Sequence, residues 1–320
     1  MKAITQDAYG TVDVLSYTDI PTPQTGPDGV LVRVRAAGVD PSVWHMMTGE
    51  PLVARLALGP GKPRERVRGW DVAGIVEAVG PQVTAFEPGD EVFGTVPGSF
   101  AEFAAAPAAK LQRKPANLSF EQAAALPISG TTALTGLRDT GRIEAGQRVL
   151  IIGASGGVGH LAVQLAKHYG AEVTGVCSGA SSAFVTGLGA DRVIDYRTEK
   201  LSGRYDLILD MAGNRPLAVL RDLLTETGTL VLGGGEGGGR FFGGLGRSVR
   251  AELLSPFARQ RLRALLALPK PEALVTLTEL ATAGAVVPHI DRTYALSEAP
   301  AAITHLAAGH SRGKSVIVVS

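Results

Sequence analysis

The middle of the chain alternates between short apolar runs and longer segments in which apolar residues recur every three or four positions. Residues 149–152 form a continuous apolar run that ends in the glycine turn 153–159. The stripe expected of a helix packed on a sheet follows, at Val158, Leu161, Ala162, Leu165, Ala166 and Tyr169. Gly170 stands where a C-terminal cap belongs, and residues 173–177 form the next apolar run. Strand, turn, helix and strand within about thirty residues predict a βαβ unit.

A glycine turn between a buried strand and a helix is also the usual binding site of a dinucleotide. Small residues let the backbone approach a pyrophosphate, and the helix N-terminus offers N–H groups and a partial positive charge. The alternative is that the glycines only permit tight packing of strand and helix. The complete βαβ context favours the dinucleotide site.

Short β-type runs separated by Pro and Gly predict a different architecture for the N-terminal part. These runs are 30–36, 74–79, 91–94 and 100–106. Such a series indicates a compact, mostly antiparallel β domain.

From Ser119 onward the pattern changes to alternating helices and strands. Ser119 followed by Gln122 forms a capping-box pattern. Further strands are expected at 192–195, 206–210 and 229–232, and helix-length segments separate them, so the predicted sheet is parallel and doubly wound. The tail from Val286 is predicted to form strand, helix and strand and to return to the first domain. The predicted domains are 1–118 completed by 268–320, and 119–267.

Composition and charge narrow the class of protein. With 320 residues, of which 45% are hydrophobic and 19% charged, the chain is long enough for two domains and ordinary for a soluble enzyme. The formal net charge of +1 argues against a nucleic-acid or membrane partner. Cys177 is the only cysteine, which excludes internal disulfides. The N-terminus lacks the apolar core of a signal peptide and no stretch of about 18 apolar residues occurs, which predicts a cytoplasmic protein.

Two segments are unusually basic, residues 55–68 and the glycine-rich residues 233–263. An anion site at either segment is one interpretation. We favour a solvated face or loop for both, because runs of charge most often lie on such faces.

Seven motifs spread over nearly the whole chain resemble those of one family. They are Ala36-Ala37-Gly38-Val39-Asp40-Pro41, Gly69-Trp70-Asp71-Val72-Ala73-Gly74, Pro88-Gly89-Asp90-Glu91-Val92-Phe93-Gly94, Thr131-Thr132-Ala133-Leu134, the turn 153–159, Leu188-Gly189-Ala190-Asp191 with Ile194-Asp195-Tyr196, and Gly313-Lys314. On these motifs the chain resembles the zinc-free branch of the medium-chain dehydrogenase/reductase superfamily, the quinone oxidoreductase and enoyl reductase-like proteins. The resemblance implies an α/β fold with a Rossmann doubly wound parallel sheet plus a GroES-like, mostly antiparallel β domain. It also implies a nicotinamide cofactor in the cleft between the domains and, commonly, a homodimer.

Family position and residue chemistry together define a predicted cofactor site. Its members are Ser129, Thr131, Ser155, Gly156, Gly157, Val158, Ser178, Tyr196, Arg197, Gly233, Gly234 and Lys314.

The end of the second strand of the βαβ unit favours NADPH over NADH. NAD sites usually carry an acidic residue there, whereas this chain has Cys177-Ser178-Gly179-Ala180. With no carboxylate in this stretch, a 2′-phosphate is tolerated and Ser178 can bond it. Ala180 and Thr186 replace expected basic residues, so phosphate recognition would depend on Ser178, Ser181, Tyr196, Arg197 and Lys314. A solvated surface arginine is an equal alternative for Arg197.

No zinc is predicted. A catalytic zinc needs three protein ligands, and in related alcohol dehydrogenases these include a cysteine and a Gly-His-Glu motif. Here Asp40 takes the first position and Gly69-Trp70-Asp71 replaces the motif. Paired ligand spacing is also missing among the six histidines, which are His45, His160, His168, His289, His305 and His310.

The loop 40–45 is the predicted wall of the substrate pocket. The candidate catalytic residues are Asp40, Ser42, Trp44, His45 and Trp70. The family usually has Asn-Pro-x-Asp in this loop, but here Asp40 replaces the amide and Val43 the carboxylate. Asp40 is either a proton donor whose pKa is raised by an apolar cleft or the start of an Asx-type turn before Pro41, and the turn is favoured. For His45 and Trp70, a packed structural residue is favoured over a catalytic one.

The favoured function is NADPH-dependent, zinc-independent reduction of an activated C=C bond in a quinone, enone or enal by hydride transfer. Fixed hydrogen-bond donors can stabilise the charge that develops on the carbonyl oxygen of such a small-molecule substrate. The alternative is a protein that retains the cofactor but uses its pocket for non-redox chemistry or binding. This alternative is motivated by five residues that depart from the pattern of the family, which are Asp40, Val43, Trp70, Ala180 and Thr186.

Overall fold

A computed structural model describes residues 1–234, 239–267, 270–309 and 311–320. Three features of the sequence analysis therefore lie outside the described residues: positions 235–238 of the basic glycine-rich segment, the predicted domain boundary at 268, and His310. The chain forms two compact units, Met1–Ser129 with Pro269–Ser320, and Gly130–Leu268.

Helices and strands alternate throughout the second unit, whereas strands dominate the first. The strands in the described part of the chain are β1 (Lys2–Gln6), β2 (Leu15–Asp19), β3 (Gly29–Val39), β4 (Asp71–Val79), β5 (Glu91–Thr95), β6 (Phe103–Pro107), β7 (Leu111–Arg113), β8 (Arg148–Ile152), β9 (Glu172–Cys177), β10 (Arg192–Asp195), β11 (Tyr205–Asp210), β12 (Leu224–Leu232), β13 (Arg261–Ala264), β14 (Ile290–Ala295) and β15 (Lys314–Val318). The α-helices are α1 (Pro41–Thr48), α2 (Arg55–Leu58), α3 (Phe120–Ala124), α4 (Pro127–Leu134), α5 (Gly159–His168), α6 (Ser182–Gly187), α7 (Leu217–Asp222), α8 (Leu245–Leu254), α9 (Pro271–Thr282) and α10 (Ala299–Ala307).

The first unit is built on a mainly antiparallel sheet in the order β14-β15-β3-β4-β5-β7, with β6 also paired to β3. The long central strand β3 buries Val30, Val32 and Val34 in the core and turns Arg33 and Arg35 outward, as the two-residue period of a strand requires. The C-terminal strand β15 pairs with β3, so the tail of the chain completes this sheet.

Strand β6 begins later along the chain than the sequence predicts. A strand was expected over 100–106, but β6 begins only at Phe103. Phe100 and Ala101 instead bridge to β1: Ala101 pairs with Ala3, and the Phe100 carbonyl accepts from the Ile4 amide. Burial of the Phe100 side chain accounts for the apolar pattern that predicted a longer strand.

The second unit has a six-stranded parallel sheet in the order β10-β9-β8-β11-β12-β13. The chain moves from β8 outward to β10 on one side and from β11 outward to β13 on the other. The strand order therefore reverses between β8 and β11, the position at which ligands bind in open parallel sheets. The predicted parallel, doubly wound sheet and the mainly antiparallel first sheet are both confirmed.

The helix after the glycine turn follows its predicted stripe. α5 buries Leu161, Ala162, Leu165 and Ala166, and Gly170 adopts a φ of 78° just beyond the helix. In the described part of the chain, no helix combines the length and the apolar character needed to cross a membrane.

Candidate functional site

The glycine turn lies at the carboxyl end of β8, beside the reversal of strand order. Gly153 has a φ of 85°, and a Cβ on Gly159 would overlap the Gly153 carbonyl oxygen, so both positions require glycine. A Cβ on Gly156 would lie 3.5 Å from the same oxygen, an ordinary contact. The fold therefore does not demand glycine at 156, and the bare backbone there leaves room for a ligand.

The predicted phosphate-binding residues Ser155, Gly156, Gly157 and Val158 are half-buried along this turn. α5 starts at the next residue without a side-chain cap, so its dipole and first amides face the turn. A turn of small residues that opens such a helix fits a pyrophosphate.

Four further predicted residues come together at the carboxyl ends of two neighbouring strands. β9 and β10 are parallel, with Cys177 opposite Asp195, so the segments that follow both strands share one edge. Ser178 Oγ lies 3.4 Å from Ser181 Oγ, and the Arg197 guanidinium lies 5.9 Å from the centre of the exposed Tyr196 ring. Hydroxyl and guanidinium groups at this edge are suited to a ribose phosphate.

Asp195 is a part of this edge that the sequence analysis missed. A Cβ on Gly179 would come within 2.5 Å of Asp195 Oδ2, so the carboxylate lies against the segment where the 2′-phosphate is expected. Asp195 Oδ1 accepts from the Arg197 amide at 3.0 Å. A search for a carboxylate only at the end of β9 overlooks one supplied by the strand beside it. The parallel register of β9 and β10 was the signal that could have revealed it.

Gly233 and Gly234 follow β12, next to the end of β11. Both amides donate to the Asp210 carbonyl, at 2.9 and 3.0 Å, and a Cβ on Gly234 would overlap the Met211 carbonyl oxygen. The buried Asp210 carboxylate accepts from two amides of the following turn and pairs with Arg247. Arg247 belongs to the second basic segment, so the expectation of a solvated face is wrong for this residue.

Two more members of the predicted cofactor set, Ser129 and Thr131, lie on α4. Both are buried, with 2% and 5% of their surface exposed. Ser129 ends the first unit, and Thr131 lies at the start of the second.

Asp40 caps α1 in the first unit. Its Oδ1 accepts from the Ser42 amide at 2.9 Å, and Pro41 takes the first helical position, so the predicted Asx-type turn is present. Asp40 is nonetheless 1% exposed, and Oδ2 has no hydrogen-bond partner among the described residues. One oxygen of the carboxyl group thus serves the fold, and the other is not used by it.

Lys314, which is predicted to lie along the cofactor, has an ion-pair partner within the first unit. Its Nζ lies 3.3 Å from Asp71 Oδ2, and both residues are buried. Asp71 Oδ1 accepts from the Ile128 amide at 2.9 Å. Burial is the main cause that raises the pKa of Asp71, to about 7; Asp40 raises it further, while Lys314 and the Ile128 amide lower it.

The remaining candidates of the first unit are half-buried and bonded locally. Trp44 packs against the core of the unit, and Trp70 Nε1 donates to Met46 Sδ at 2.6 Å. His45 Nδ1 lies 2.8 Å from the Glu50 carbonyl oxygen. These contacts agree with packing roles for His45 and Trp70.

The residues at the zinc-ligand positions do not suit zinc. Asp40 is engaged as a helix cap, Asp71 is paired with Lys314, and the Trp70 indole has no lone pair to offer a metal. Across the described residues, no group of three or more His, Cys, Asp or Glu side chains is arranged to hold a metal ion.

The first basic segment is less solvated than expected. Arg55 stacks on Tyr9 with 4.4 Å between the guanidinium and the ring centre, whereas Arg66 forms an exposed ion pair with Asp7. Arg68 is 1% exposed, and burial lowers its pKa to about 10. The expectation of a solvated face is therefore wrong for Arg68. Its backbone amide donates to the Ile4 carbonyl of β1, and the preceding residue, Val67, forms a β-bridge with Thr5.

Comparison with known proteins agrees with this architecture. Residues 26–116 match the family model of the alcohol dehydrogenase GroES-like domain, and residues 188–317 match that of the zinc-binding dehydrogenases. The bovine mitochondrial NAD(P)H oxidoreductase RTN4IP1 is 34% identical over 100% of this chain and 89% of that protein. The chain belongs to the medium-chain dehydrogenase/reductase superfamily, among the quinone oxidoreductases. It is an oxidoreductase.

Two other superfamily members are similar to the chain. The structure of the quinone oxidoreductase from Coxiella burnetii is 33% identical with a TM-score of 0.87, covering 100% of this chain and 99% of that one. The chloroplastic NADPH-dependent alkenal/one oxidoreductase of Arabidopsis thaliana is 37% identical over 72% of this chain and 62% of that protein.

Proposed function

We propose that this protein uses NADPH to reduce an activated C=C bond of a quinone, enone or enal. The observation that carries the proposal is the glycine turn between β8 and α5. The fold could accommodate a side chain at residue 156, but the residue is glycine, which leaves the backbone open to a ligand. The relatives support the choice of substrate class, because one is named a quinone oxidoreductase and another an NADPH-dependent alkenal/one oxidoreductase.

When bound, the nicotinamide supplies the hydride. The backbone of residues 155–158 and the dipole of α5 would hold the pyrophosphate of the cofactor. Metal-free chemistry requires hydrogen-bond donors for the developing charge on the substrate oxygen. Ser42 is the candidate donor in the first unit, because its hydroxyl has no partner among the described residues.

NADPH is proposed over NADH because Ser178 and Arg197 follow neighbouring parallel strands, at the edge where we expect the 2′-phosphate to bind. A guanidinium forms strong charge-assisted bonds to phosphate. The nearby Asp195 carboxylate partly offsets this preference. The proposed preference is therefore moderate rather than absolute.

We propose that the protein acts as a homodimer through an apolar surface of the second unit. Val249, Leu253 and Phe257 are spaced four residues apart along α8 and just beyond it, with 57%, 67% and 90% of their surfaces exposed. β13 lies beside α8 at the edge of the sheet, where one side of a strand is open to pairing. A second copy could cover both the strand edge and the apolar side chains. The cytoplasmic location stays a prediction.

Titration with NADPH and a panel of enones and quinones tests the function. We expect NADPH to bind more tightly than NADH and to be oxidised in the presence of at least one acceptor. Binding of neither cofactor, or binding without oxidation by any acceptor, would contradict the proposal.

Gly156→Ala tests the turn itself. The added methyl group fits the fold but occupies the position proposed for the pyrophosphate, so we expect unchanged thermal stability and NADPH binding at least about tenfold weaker, or ~1.4 kcal/mol. The matched control is Gly187→Ala, where a Cβ meets no atom within 4 Å. Equal NADPH affinity in both variants would place the cofactor elsewhere.

A further inference from the structure

His160 is a fully buried polar side chain beside the glycine turn, and the proposed function has not used it. It is the second residue of α5, and none of its surface is exposed. The next residues of the helix, Leu161 and Ala162, are buried apolar residues. Burial of an imidazole costs free energy unless its polar atoms have partners. The partner of His160 Nδ1 therefore indicates why a histidine occupies this position.

The partner of His160 Nδ1 is the carbonyl oxygen of Gly156, within the glycine turn itself. Nδ1 lies 3.0 Å from this oxygen, and the His160 backbone amide donates to the same oxygen, also at 3.0 Å. A carbonyl oxygen can only accept, so Nδ1 carries the hydrogen of this bond. Because a carbonyl oxygen has two lone pairs, one residue supplies a donor for each of them.

These two hydrogen bonds fix the orientation of the peptide group that joins Gly156 to Gly157. The C=O and N–H of a trans peptide group point in opposite directions. Since the Gly156 carbonyl points along α5 toward His160, the Gly157 amide points out of the N-terminal end of the helix. The Gly156 amide donates to the Gly153 carbonyl at 3.1 Å, whereas the Gly157 amide has no acceptor among the described residues. The turn thus presents the Gly157 amide outward as a donor.

Two successive glycines make this peptide group unusually free to turn over. Without Cβ atoms, neither Gly156 nor Gly157 restricts the backbone dihedral angles that such a flip requires. A flipped peptide group would direct a carbonyl oxygen toward the phosphate and repel it. The flip breaks two hydrogen bonds when the imidazole is present, but only one when it is absent. The imidazole also polarises the peptide group, which strengthens its N–H as a donor.

We propose that His160 is a positioning residue, which locks the peptide group between Gly156 and Gly157 so that the Gly157 amide binds the pyrophosphate of NADPH. The inference depends on the proposed function, because it takes the glycine turn as the site of this pyrophosphate. His160 itself does not contact the cofactor; its side chain acts through the backbone. All of these residues belong to the second unit.

His160→Leu removes the donor and keeps an apolar side chain of similar size for the buried face of α5. We expect NADPH to bind about tenfold more weakly, because hydrogen bonds to a charged group are among the strong ones. KM for NADPH should rise by a similar factor, while kcat with a saturating acceptor changes little. The matched control is His168→Leu, the same substitution at the exposed last residue of the same helix, which should leave NADPH affinity unchanged.

His160→Asn distinguishes the positioning role from a merely structural one. The side-chain amide nitrogen of asparagine is as many bonds from Cα as Nδ1 is, and it can donate to the Gly156 carbonyl. Asparagine is smaller than histidine and a poorer helix former than leucine, so thermal unfolding should show this variant to be less stable than His160→Leu. Calorimetric titration should nevertheless show that it binds NADPH more tightly. A structural role would give the same order for stability and affinity.

The amide resonance of Gly157 reports on the turn directly. In the wild-type protein, NADPH should move the Gly157 amide proton to lower field, as expected for an N–H that donates to a phosphate oxygen. The shift should be smaller in His160→Leu and should recover in His160→Asn.

The possible failures are distinguishable. If the wild-type protein binds neither NADPH nor NADH, the proposed function is wrong and this inference fails with it. If the wild-type protein binds NADPH and His160→Leu binds it equally tightly, only the role of His160 is overturned. Equal weakening in His160→Leu and His160→Asn would also overturn that role, because the hydrogen bond would then have no effect on binding.

Discussion

Two side chains of opposite charge meet at the edge that we propose binds the 2′-phosphate. Arg197 attracts a phosphate, whereas Asp195 lies against Gly179 and repels it. The Asp195 carboxylate also holds the loop, since its Oδ1 accepts from the Arg197 amide. Asp195 therefore holds the loop that carries Arg197, while its negative charge weakens the binding of a phosphate at the same edge.

Asp195→Asn separates these two effects. The amide oxygen can still accept from the Arg197 amide, but the negative charge is removed. We expect the ratio of kcat/KM for NADPH to that for NADH to rise about fivefold, the effect of roughly 1 kcal/mol between charges near a hydrated surface. Glu226→Gln, at an exposed carboxylate of the same unit, should leave the ratio unchanged. An unchanged ratio in Asp195→Asn would mean that the phosphate binds away from this edge.

Single residues were predictable where their partners are close along the chain. The Asx-type turn of Asp40 and the capping box of Ser119 and Gln122 are local, and both are present. The pairing of Lys314 with Asp71 joins residues 243 positions apart, and no local pattern in the sequence indicates it.

The elements themselves follow from local chemistry. Ser119 and Gln122 cap each other's backbone amides at the start of α3, and apolar periodicity specifies α5. The ends of β6 and β12 were less predictable, because strand pairing and burial, rather than propensity, decide where a strand begins. β12 begins at Leu224, before the predicted residue 229, where it pairs with Tyr205 of β11.

Ser119→Ala tests the contribution of this cap. Loss of the side-chain bond to the Gln122 amide should lower the free energy of unfolding of the first unit by about 1 kcal/mol. Both tryptophans, Trp44 and Trp70, belong to this unit, so tryptophan fluorescence during urea unfolding reports on it. Ser16→Ala, at an exposed strand position, is the control. Equal loss of stability in both variants would show that the capping box contributes nothing.

In the whole molecule, the largest exposed apolar side chains concentrate on the second unit. Leu253 and Phe257 face outward from the end of α8, while Ala251 on the same helix is buried. An amphipathic helix normally buries its apolar face and exposes polar residues. Apolar groups on the outward face of α8, beside an edge strand, are the observation that supports the proposed homodimer.

Leu253→Asp tests the proposed dimer. We expect light scattering to give twice the chain mass of 33.1 kDa for the wild-type protein and a single chain mass for the variant. The introduced carboxylate would be buried in an apolar interface without a partner, which is costly. Leu56→Asp is the control, since Leu56 is 75% exposed but lies on the first unit. A wild-type protein that is monomeric at all concentrations would contradict the dimer.

Hydrophobic periodicity, caps and glycines are encoded over a few residues, and they were enough to predict the βαβ unit, the two kinds of sheet and the glycine turn. The family resemblance rested on the same short motifs. Tertiary structure alone brought Arg247 to Asp210, and Lys314 to Asp71. Each of these contacts joins separate strands or loops, and their electrostatic energy depends on distance and burial, which the order of residues along the chain does not specify.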